Sequence, residues 1–347
     1  MAGGYTHITI AQLAIAEAQR QQDWLHHEAM QSLLRWKKFV IIGSIAPDYP
    51  YMDFADSNST EWSNVMHSRG SLDFLRSGVR LVRAMEKTDK RQKCLAWLLG
   101  FAAHVVADAV VHPIVNIKVG PYEENKVRHR RCEMSQDVYI HPRLNLGLEI
   151  NRQISTNVNE TSDGRWSSKL DKDIAEFWVS VLEEVYGIRQ SPAPFNANIF
   201  SRTFRQLMKL IGRQGDEVRY SHPVSGAGGK QRALLPPDPD AWHRAMRALM
   251  QTAENGDRMI SFARHLTADQ GLVYPKEADM QYVLAQETPK GTRMDFDKIV
   301  EKTIKHLIAF WIDMSLALQG KASPLDTMPN VSLDTGIDEN NLMTYWS

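Results

Sequence analysis

Apolar residues recur at helical spacing through most of the chain. Between residues 8 and 37 they form one continuous face, which predicts a single long amphipathic helix. That face consists of Ala11, Ala14, Ile15, Ala18 and Leu25. The same period predicts further helices over residues 69–87, 91–117, 124–155 with an interruption at Pro142, 170–187, 196–213, 238–268 and 293–319. No stretch alternates apolar and polar residues as a half-buried strand does. The pattern therefore predicts an all-α fold.

Glycine and proline interrupt the helical pattern in two places. The segment FVIIGSIAPDYPYMDF, residues 39–54, is predicted to be a loop, and residues 215–240 are predicted to be a surface loop or lid. We expect a helical core over residues 1–160 that holds the unusual polar positions. We expect a second helical part over 161–322 that packs on this core within the same domain, and a tail over 323–347.

Composition narrows the class of protein further. The chain has 347 residues, 43% of them hydrophobic, and a formal net charge of zero. Without an excess of basic residues, the protein has no long-range positive electrostatic field that would favour a stable nucleic-acid partner. Two cysteines do not make a disulfide framework and fit a reducing compartment. The sequence shows neither a secretory-signal pattern nor a long uncharged apolar window, so we expect a cytoplasmic protein.

The segment AAHVVADAVVHP, residues 102–113, places three polar residues in an otherwise apolar run. His104, Asp108 and His112 are spaced four apart, at roughly 0°, 40° and 80° around a helix, so they share one stripe. Burying a carboxylate and two imidazoles is costly unless they pair with one another or bind a metal. Both readings stay open at this point, and the residue types favour a zinc site.

Additional candidate ligands lie on both sides of this segment. His129 and Glu133 are four apart and share a helix face, Asp48 lies in the APDYP loop, His67 directly precedes a predicted helix, and His7 lies near the start of the chain. Each has an ordinary alternative as a turn former or a solvated surface residue. Taken together with the first three, they are enough for more than one metal ion.

One further carboxylate and three further histidines could also contribute to such a site. Asp137 follows Glu133 on the same helix face, where it could support a ligand histidine or simply face solvent. His243, His265 and His306 lie in charged helical segments and are expected to be surface residues.

The joint order of these motifs resembles the bacterial zinc-dependent phospholipase C family, over about residues 5–140. That family is grouped with the S1/P1 nucleases as all-helical phosphodiesterases with three zinc ions. The resemblance implies a phospholipase C/P1 nuclease-like bundle with an additional helical C-terminal region, and two or three Zn²⁺ per chain.

The implied ligand sets are Asp48, His67, His104 and Asp108 for one zinc, Asp108 and His7 for a second, and His112, His129 and Glu133 for the remaining one. In the family an N-terminal tryptophan completes the second site. This chain has none there, so its occupancy stays open.

The implied activity is hydrolysis of a phosphate ester, most plausibly a phosphodiester. Zinc ions lower the pKa of bound water and neutralise phosphoryl charge, and Asp48 would orient the attacking water as a base. The substrate would be a phospholipid headgroup or a nucleotide-like ester, and transient contact with a membrane surface is compatible with this. A nuclease or nucleotidase on the same platform and a non-catalytic protein with structural zinc are the alternatives.

Overall fold

The structure, a computed structural model, describes residues 3–21, 25–53, 56–145, 149–164, 167–187, 235–254 and 274–347. The expected helix over 196–213 lies outside the described residues. So do most of the expected loop over 215–240 and the part of the expected helix 238–268 that follows residue 254.

Helices account for nearly all regular structure in the described part of the chain, which confirms the all-α prediction. They are α1 (Gly4–Arg20), α2 (His27–Arg35), α3 (Lys37–Gly43), α4 (Ser57–Ser68), α5 (Ser71–Ala84), α6 (Asp89–Val119), α7 (Tyr122–Ile140), α8 (Glu149–Glu160), α9 (Lys172–Tyr186), α10 (Pro239–Glu254) and α11 (Phe296–Leu318). Short 3₁₀ turns span Ala46–Met52, His141–Leu144, Met280–Tyr282 and Pro324–Asp326. Two strands, β1 (Gln286–Glu287) and β2 (Arg293–Met294), pair antiparallel.

The predicted single helix over residues 8–37 is wrong, because three helices occupy this region. Helix α1 ends at Arg20, and α2 begins after His26, whose side chain accepts a hydrogen bond from the Glu28 backbone N–H. Trp36, with φ −114° and ψ 30°, separates α2 from α3. The spacing of apolar residues does not reveal where one helix ends and the next begins in a new direction, because an apolar face continues on both sides of the break.

The predicted loop over residues 39–54 is also largely wrong. Phe39–Gly43 complete α3, and Ala46–Met52 form a 3₁₀ turn. Pro47 occupies the first turn of that 3₁₀ segment, where a missing backbone N–H has no intrahelical partner to lose. Gly43 is required by close packing, since a Cβ atom there would collide with the Trp97 carbonyl oxygen on α6. This contact holds the 3₁₀ turn beside α6.

Helix α6 forms the centre of the fold. It is long and apolar enough to cross a membrane by length and composition, contrary to the sequence expectation that no such window exists, but its apolar window is 100% buried within the protein. Helices α2, α3, α5, α9 and α11 all contact it. A polar residue within that buried window of α6 therefore has no solvent within reach and must find its partners inside the protein.

Residues 323–347, expected to be a tail, fold back on the core, and we call them the C-terminal strap. Leu325, Leu333 and Trp346 of the strap are buried. The Trp346 indole N–H donates to the Val110 carbonyl of α6 at 3.0 Å. The strap thus reaches the section of α6 that carries Asp108 and His112.

Candidate metal centre

Asp108 lies at the centre of a buried cluster of histidines. Its Oδ1 lies 3.3 Å from His7 Nε2 and 3.4 Å from His112 Nε2. Its Oδ2 lies 3.1 Å from His104 Nε2 and 3.8 Å from His67 Nε2. All five residues are at most 1% exposed. One carboxylate therefore faces four imidazoles, brought together from α1, α4 and α6.

Four histidines each direct one ring nitrogen to a backbone carbonyl. Because a carbonyl oxygen only accepts, that nitrogen must carry the proton, and the other nitrogen keeps its lone pair. The pairs are His67 Nδ1 with Ser63 O at 2.7 Å, His104 Nδ1 with Ser44 O at 3.0 Å, His112 Nδ1 with Leu333 O, and His129 Nε2 with Gly120 O at 2.6 Å. This second hydrogen bond, which fixes the tautomer and the ring orientation, is typical of metal-binding histidines.

His7 enters the cluster from α1 and stacks on His104. The ring centroids are 3.9 Å apart and the planes are 8° from parallel. Neither ring nitrogen of His7 makes a hydrogen bond of good geometry within the described residues, although Nε2 lies 3.3 Å from Asp108 Oδ1. A buried imidazole with neither nitrogen satisfied is costly in a metal-free core, so its placement favours a bound cation.

Asp48 and His67 form the outer side of the cluster. The Ala46–Met52 turn places Asp48 Oδ1 3.3 Å from His67 Nε2. Neither carboxylate oxygen of Asp48 has a hydrogen bond of good geometry within the described part of the chain. His67 precedes α5, as the sequence predicted, but it also lies in the last turn of α4, which was not predicted. Its backbone carbonyl C=O is therefore near a helix end and remains available to an outside donor.

His129 and Glu133 lie together on α7, at the edge of the cluster. His129 Nδ1 is 4.0 Å from Glu133 Oε1, and Arg130 donates to Glu133 Oε2 at 3.2 Å. Both residues are at most 3% exposed. Neither residue belongs to the groups of candidate ligand atoms that lie within 4.8 Å of one another in the described part of the chain, so the set of His112, His129 and Glu133 implied by the resemblance stays a proposal.

Burial and charge keep most of the cluster in a form suited to cations. His104 is the exception, because Asp108 and Asp48 outweigh its burial and raise its pKa. Burial and the neighbouring His104 lower the pKa of His7, and burial lowers the pKa of His112 to about 4. Burial alone would raise the pKa values of Asp48 and Asp108, but the surrounding imidazoles outweigh it and hold both below the ordinary value. Ionised carboxylates and neutral imidazoles are the forms that bind metal.

Two subsets of these residues have ligand atoms close enough to share one ion. His7, Asp48 and His104 form one, and His67, His104 and Asp108 form the other, with the candidate atoms of each within 4.8 Å. They partition the residues differently from the sets that the resemblance implied, because His104 belongs to both. The chemistry of the donors fits Zn²⁺, which prefers imidazole nitrogen mixed with carboxylate oxygen.

Asp137 serves a neighbour of the cluster. Its Oδ1 accepts from the backbone N–H and the hydroxyl of Thr6, both at 2.7 Å, and its Oδ2 accepts from the Tyr274 hydroxyl at 2.6 Å. Burial raises the pKa of Asp137 to about 6, against the effect of these donors. Asp137 therefore supports the start of α1 beside His7, and not a histidine ring directly.

His243 is a correction to the sequence analysis, which expected a surface residue. It is fully buried, and its Nε2 lies 3.0 Å from the Ser162 hydroxyl. Its ring also contacts that of Tyr49, with centroids 6.3 Å apart. His306 is half-buried, and His265 lies outside the described residues. Charged neighbours in the α10 sequence concealed the inward direction of His243.

The described residues form an all-helical bundle whose centre holds imidazoles and carboxylates from several helices, a set of donors that could hold a metal ion. The family model of the zinc dependent phospholipases C matches residues 6–190, which is more than half of the chain. The chain therefore belongs to the zinc dependent phospholipase C family. No curated protein and no solved structure matches it.

Proposed function

We propose that the chain is a zinc-dependent hydrolase of phosphate esters that acts on a phosphodiester, with a phospholipid headgroup bond as the first substrate to test. The observation that carries the proposal is the set of fixed histidine tautomers. His67, His104 and His112 each direct a lone pair on Nε2 toward the single carboxylate of Asp108. Histidines that only stabilise a core have no need to converge in this way.

The proposed ligands are the eight side chains singled out in the sequence. They are His7, Asp48, His67, His104, Asp108, His112, His129 and Glu133, which would hold two or three zinc ions per chain. Zinc bound there would supply a hydroxide at neutral pH and neutralise charge on the phosphoryl oxygens. Asp108, which faces four imidazoles, would contribute to holding more than one ion.

Asp48 is proposed as the base that orients the attacking water. Its carboxylate oxygens lack hydrogen bonds of good geometry within the described residues, and His67 and His104 keep its pKa low. An ionised carboxylate at the edge of the cluster can accept a proton from water. Asp48→Asn should therefore reduce turnover far more than it reduces zinc content, and an equal loss of both would make Asp48 a ligand only.

A matched control exists in the same region. Asp56 is exposed and accepts a hydrogen bond from the Asn58 backbone N–H at the start of α4. Asparagine performs this capping role as well as aspartate. Asp56→Asn should keep both turnover and zinc content, which separates the effect of a lost charge near the site from the effect of a lost base.

The experiment that tests the function combines metal analysis with a substrate panel. Zinc per chain is measured on the purified protein. Turnover is then measured on p-nitrophenyl phosphomonoesters and phosphodiesters, on phosphatidylcholine vesicles and on a dinucleotide, each with and without chelator. Two or three zinc ions and chelator-sensitive diester cleavage are expected. One tightly held zinc without turnover would establish the structural-zinc alternative, and cleavage of the dinucleotide alone would establish the nuclease alternative.

The remaining sequence expectations stand as proposals of the same kind. We propose that residues 1–160 form the zinc-binding part and that residues 161–322 pack on it within one domain. A cytoplasmic location and a transient contact with a membrane surface are proposed with them. Activity on vesicles that exceeds activity on the same lipid in detergent would support the membrane contact.

A further inference from the structure

We propose that the C-terminal strap, which lies outside the residues matched by the family model, is a positioning element of the metal centre. This inference rests on the zinc centre of the proposed function. The match to the family ends at residue 190, whereas the strap spans 323–347. Residues outside that match would thus complete the site whose ligands lie within it.

Leu333 makes the contact that carries the inference. Its backbone carbonyl accepts the Nδ1–H hydrogen bond of His112, and its backbone N–H donates to the His67 carbonyl at 2.7 Å. One residue of the strap therefore fixes the ring of one proposed ligand and the backbone of another. Partners of this kind, which orient a metal-binding histidine, commonly contribute 10-fold to 100-fold to metal affinity.

Other strap contacts hold Leu333 in place. The Ser71 hydroxyl donates to the Val331 carbonyl at 2.7 Å, and the Val331 N–H donates back to the hydroxyl oxygen at 3.0 Å. Asn116 at the end of α6 donates to the Asp334 carbonyl at 2.9 Å. These bonds join the strap to α5 on one side and to α6 on the other, so the position of Leu333 is determined at both ends.

Gly336 provides a way to displace the strap without touching a ligand. Its φ is +69°, and a Cβ there would lie 2.5 Å from Pro113 Cγ and 2.7 Å from the Ala109 carbonyl oxygen. Gly336→Ala should therefore push the strap away from α6. Gly291, in the turn between β1 and β2, has the same φ of +69° and no atom within 4 Å of its Cβ position, so Gly291→Ala imposes the same backbone strain without the collision.

The test compares zinc retention in the full-length wild type, Gly336→Ala, Gly291→Ala and a chain that ends at residue 322. Each protein is loaded with zinc and challenged with a chromophoric chelator, and cobalt-substituted samples are compared by visible absorption. We expect Gly336→Ala to release zinc about 10-fold to 100-fold faster than wild type, with an altered cobalt spectrum. Gly291→Ala should behave as wild type, and the shortened chain should hold zinc least well.

The outcomes separate the strap from the centre itself. Wild-type zinc retention and an unchanged cobalt spectrum in Gly336→Ala would overturn the positioning role, whether or not the shortened chain folds. Equal loss of zinc in Gly291→Ala would overturn it as well, because general strain would then explain the effect. A wild-type protein that binds no zinc would overturn both the proposed function and the role of the strap.

Discussion

The imidazole ring of His7 lies flat against that of His104, with centroids 3.9 Å apart, and both Nε2 atoms face the Asp108 carboxylate at 3.3 and 3.1 Å. Two stacked imidazoles in a dry core cannot both carry a positive charge without strong repulsion. Their common orientation toward one carboxylate is instead suited to cations placed between them and Asp108.

The first prediction concerns that shared carboxylate. Asp108→Asn keeps the size of the side chain but removes the charge that compensates a metal ion. We expect zinc content to fall to at most one ion per chain, and diester cleavage to fall by more than about 100-fold, beyond the usual effect of an outer partner. Elemental analysis and steady-state rates measure both quantities.

The control for Asp108→Asn lies on the same helix. Asp89 begins α6, is 58% exposed at its side chain and pairs with Arg35 at 2.9 Å. Asp89→Asn should leave zinc content and rate unchanged. Retention of the full zinc complement by Asp108→Asn would show that the carboxylate serves only to pair with the histidines.

The second prediction is a pH dependence of stability that comes from His243. Burial lowers the pKa of His243 to about 3, against an unfolded value near 6.5. Protonation of His243 is less favourable in the folded state than in the unfolded state. The stability that follows from the neutral ring is therefore complete above pH 6.5 and is lost as pH falls toward 3. Between pH 7 and pH 5 this amounts to about 2 kcal/mol of unfolding free energy.

Urea denaturation at the two pH values measures this dependence. His243→Gln cannot titrate and should lose about 2 kcal/mol less than wild type over the same interval. Loss of zinc at low pH affects both proteins and cancels in the comparison. His27→Gln, at an exposed histidine, should follow the wild-type curve, and identical curves for His243→Gln and wild type would refute the prediction.

The third prediction concerns the hydrogen bond that the Tyr274 hydroxyl donates to the Asp137 carboxylate. Burial raises the pKa of Asp137 to about 6. The folded state is therefore most stable at a pH below the ordinary pKa of an aspartate, and it loses stability as pH rises through 6. Tyr274→Phe removes a donor to the ionised form. We expect a loss of about 1.5–3 kcal/mol at pH 8 and a smaller loss at pH 5.

Denaturation of Tyr274→Phe at both pH values tests the sign. Tyr282→Phe is the control, because the Tyr282 hydroxyl makes no hydrogen bond within the described part of the chain. A loss of equal size at pH 5 and pH 8 would mean that the hydroxyl does not respond to the charge of Asp137.

The fourth prediction concerns how the strap caps α5. Gly70, at the N-terminal cap of α5, has no side chain, and the Asn330 amide oxygen accepts from the Leu72 and Asp73 backbone N–H groups, each at 2.9 Å. Asn330→Ala should lower the unfolding free energy by about 1 kcal/mol, the usual contribution of a helix cap. Exposed Asn340 provides the control Asn340→Ala. An equal effect of the two substitutions would argue against the cap.

The sequence predicted the part of the centre that depends on spacing within one helix. His104, Asp108 and His112 share a face of α6, and His129 and Glu133 share a face of α7, because an i, i+4 spacing has the same geometric result in any helix. The all-α class followed from the same periodicity. The helix boundaries near the N-terminus could not be predicted in this way, because the spacing of apolar residues continues where the chain changes direction.

Other parts of the site carry no sequence signal. The carbonyl groups of Ser44, Gly120 and Leu333 orient three histidines, and every residue type has a carbonyl group. Only tertiary structure selects which of them receives the imidazole proton. The inward direction of His243 was hidden for a related reason, since charged neighbours on α10 indicated an exposed face.

The place of Leu333 in the chain has a consequence for folding. Every proposed ligand belongs to the first 133 residues, yet the carbonyl group that holds His112 lies 221 residues further along the chain. Closing a contact of such long sequence separation costs chain entropy before the contact can stabilise the fold. We therefore expect metal loading at full affinity to follow the closing of this contact.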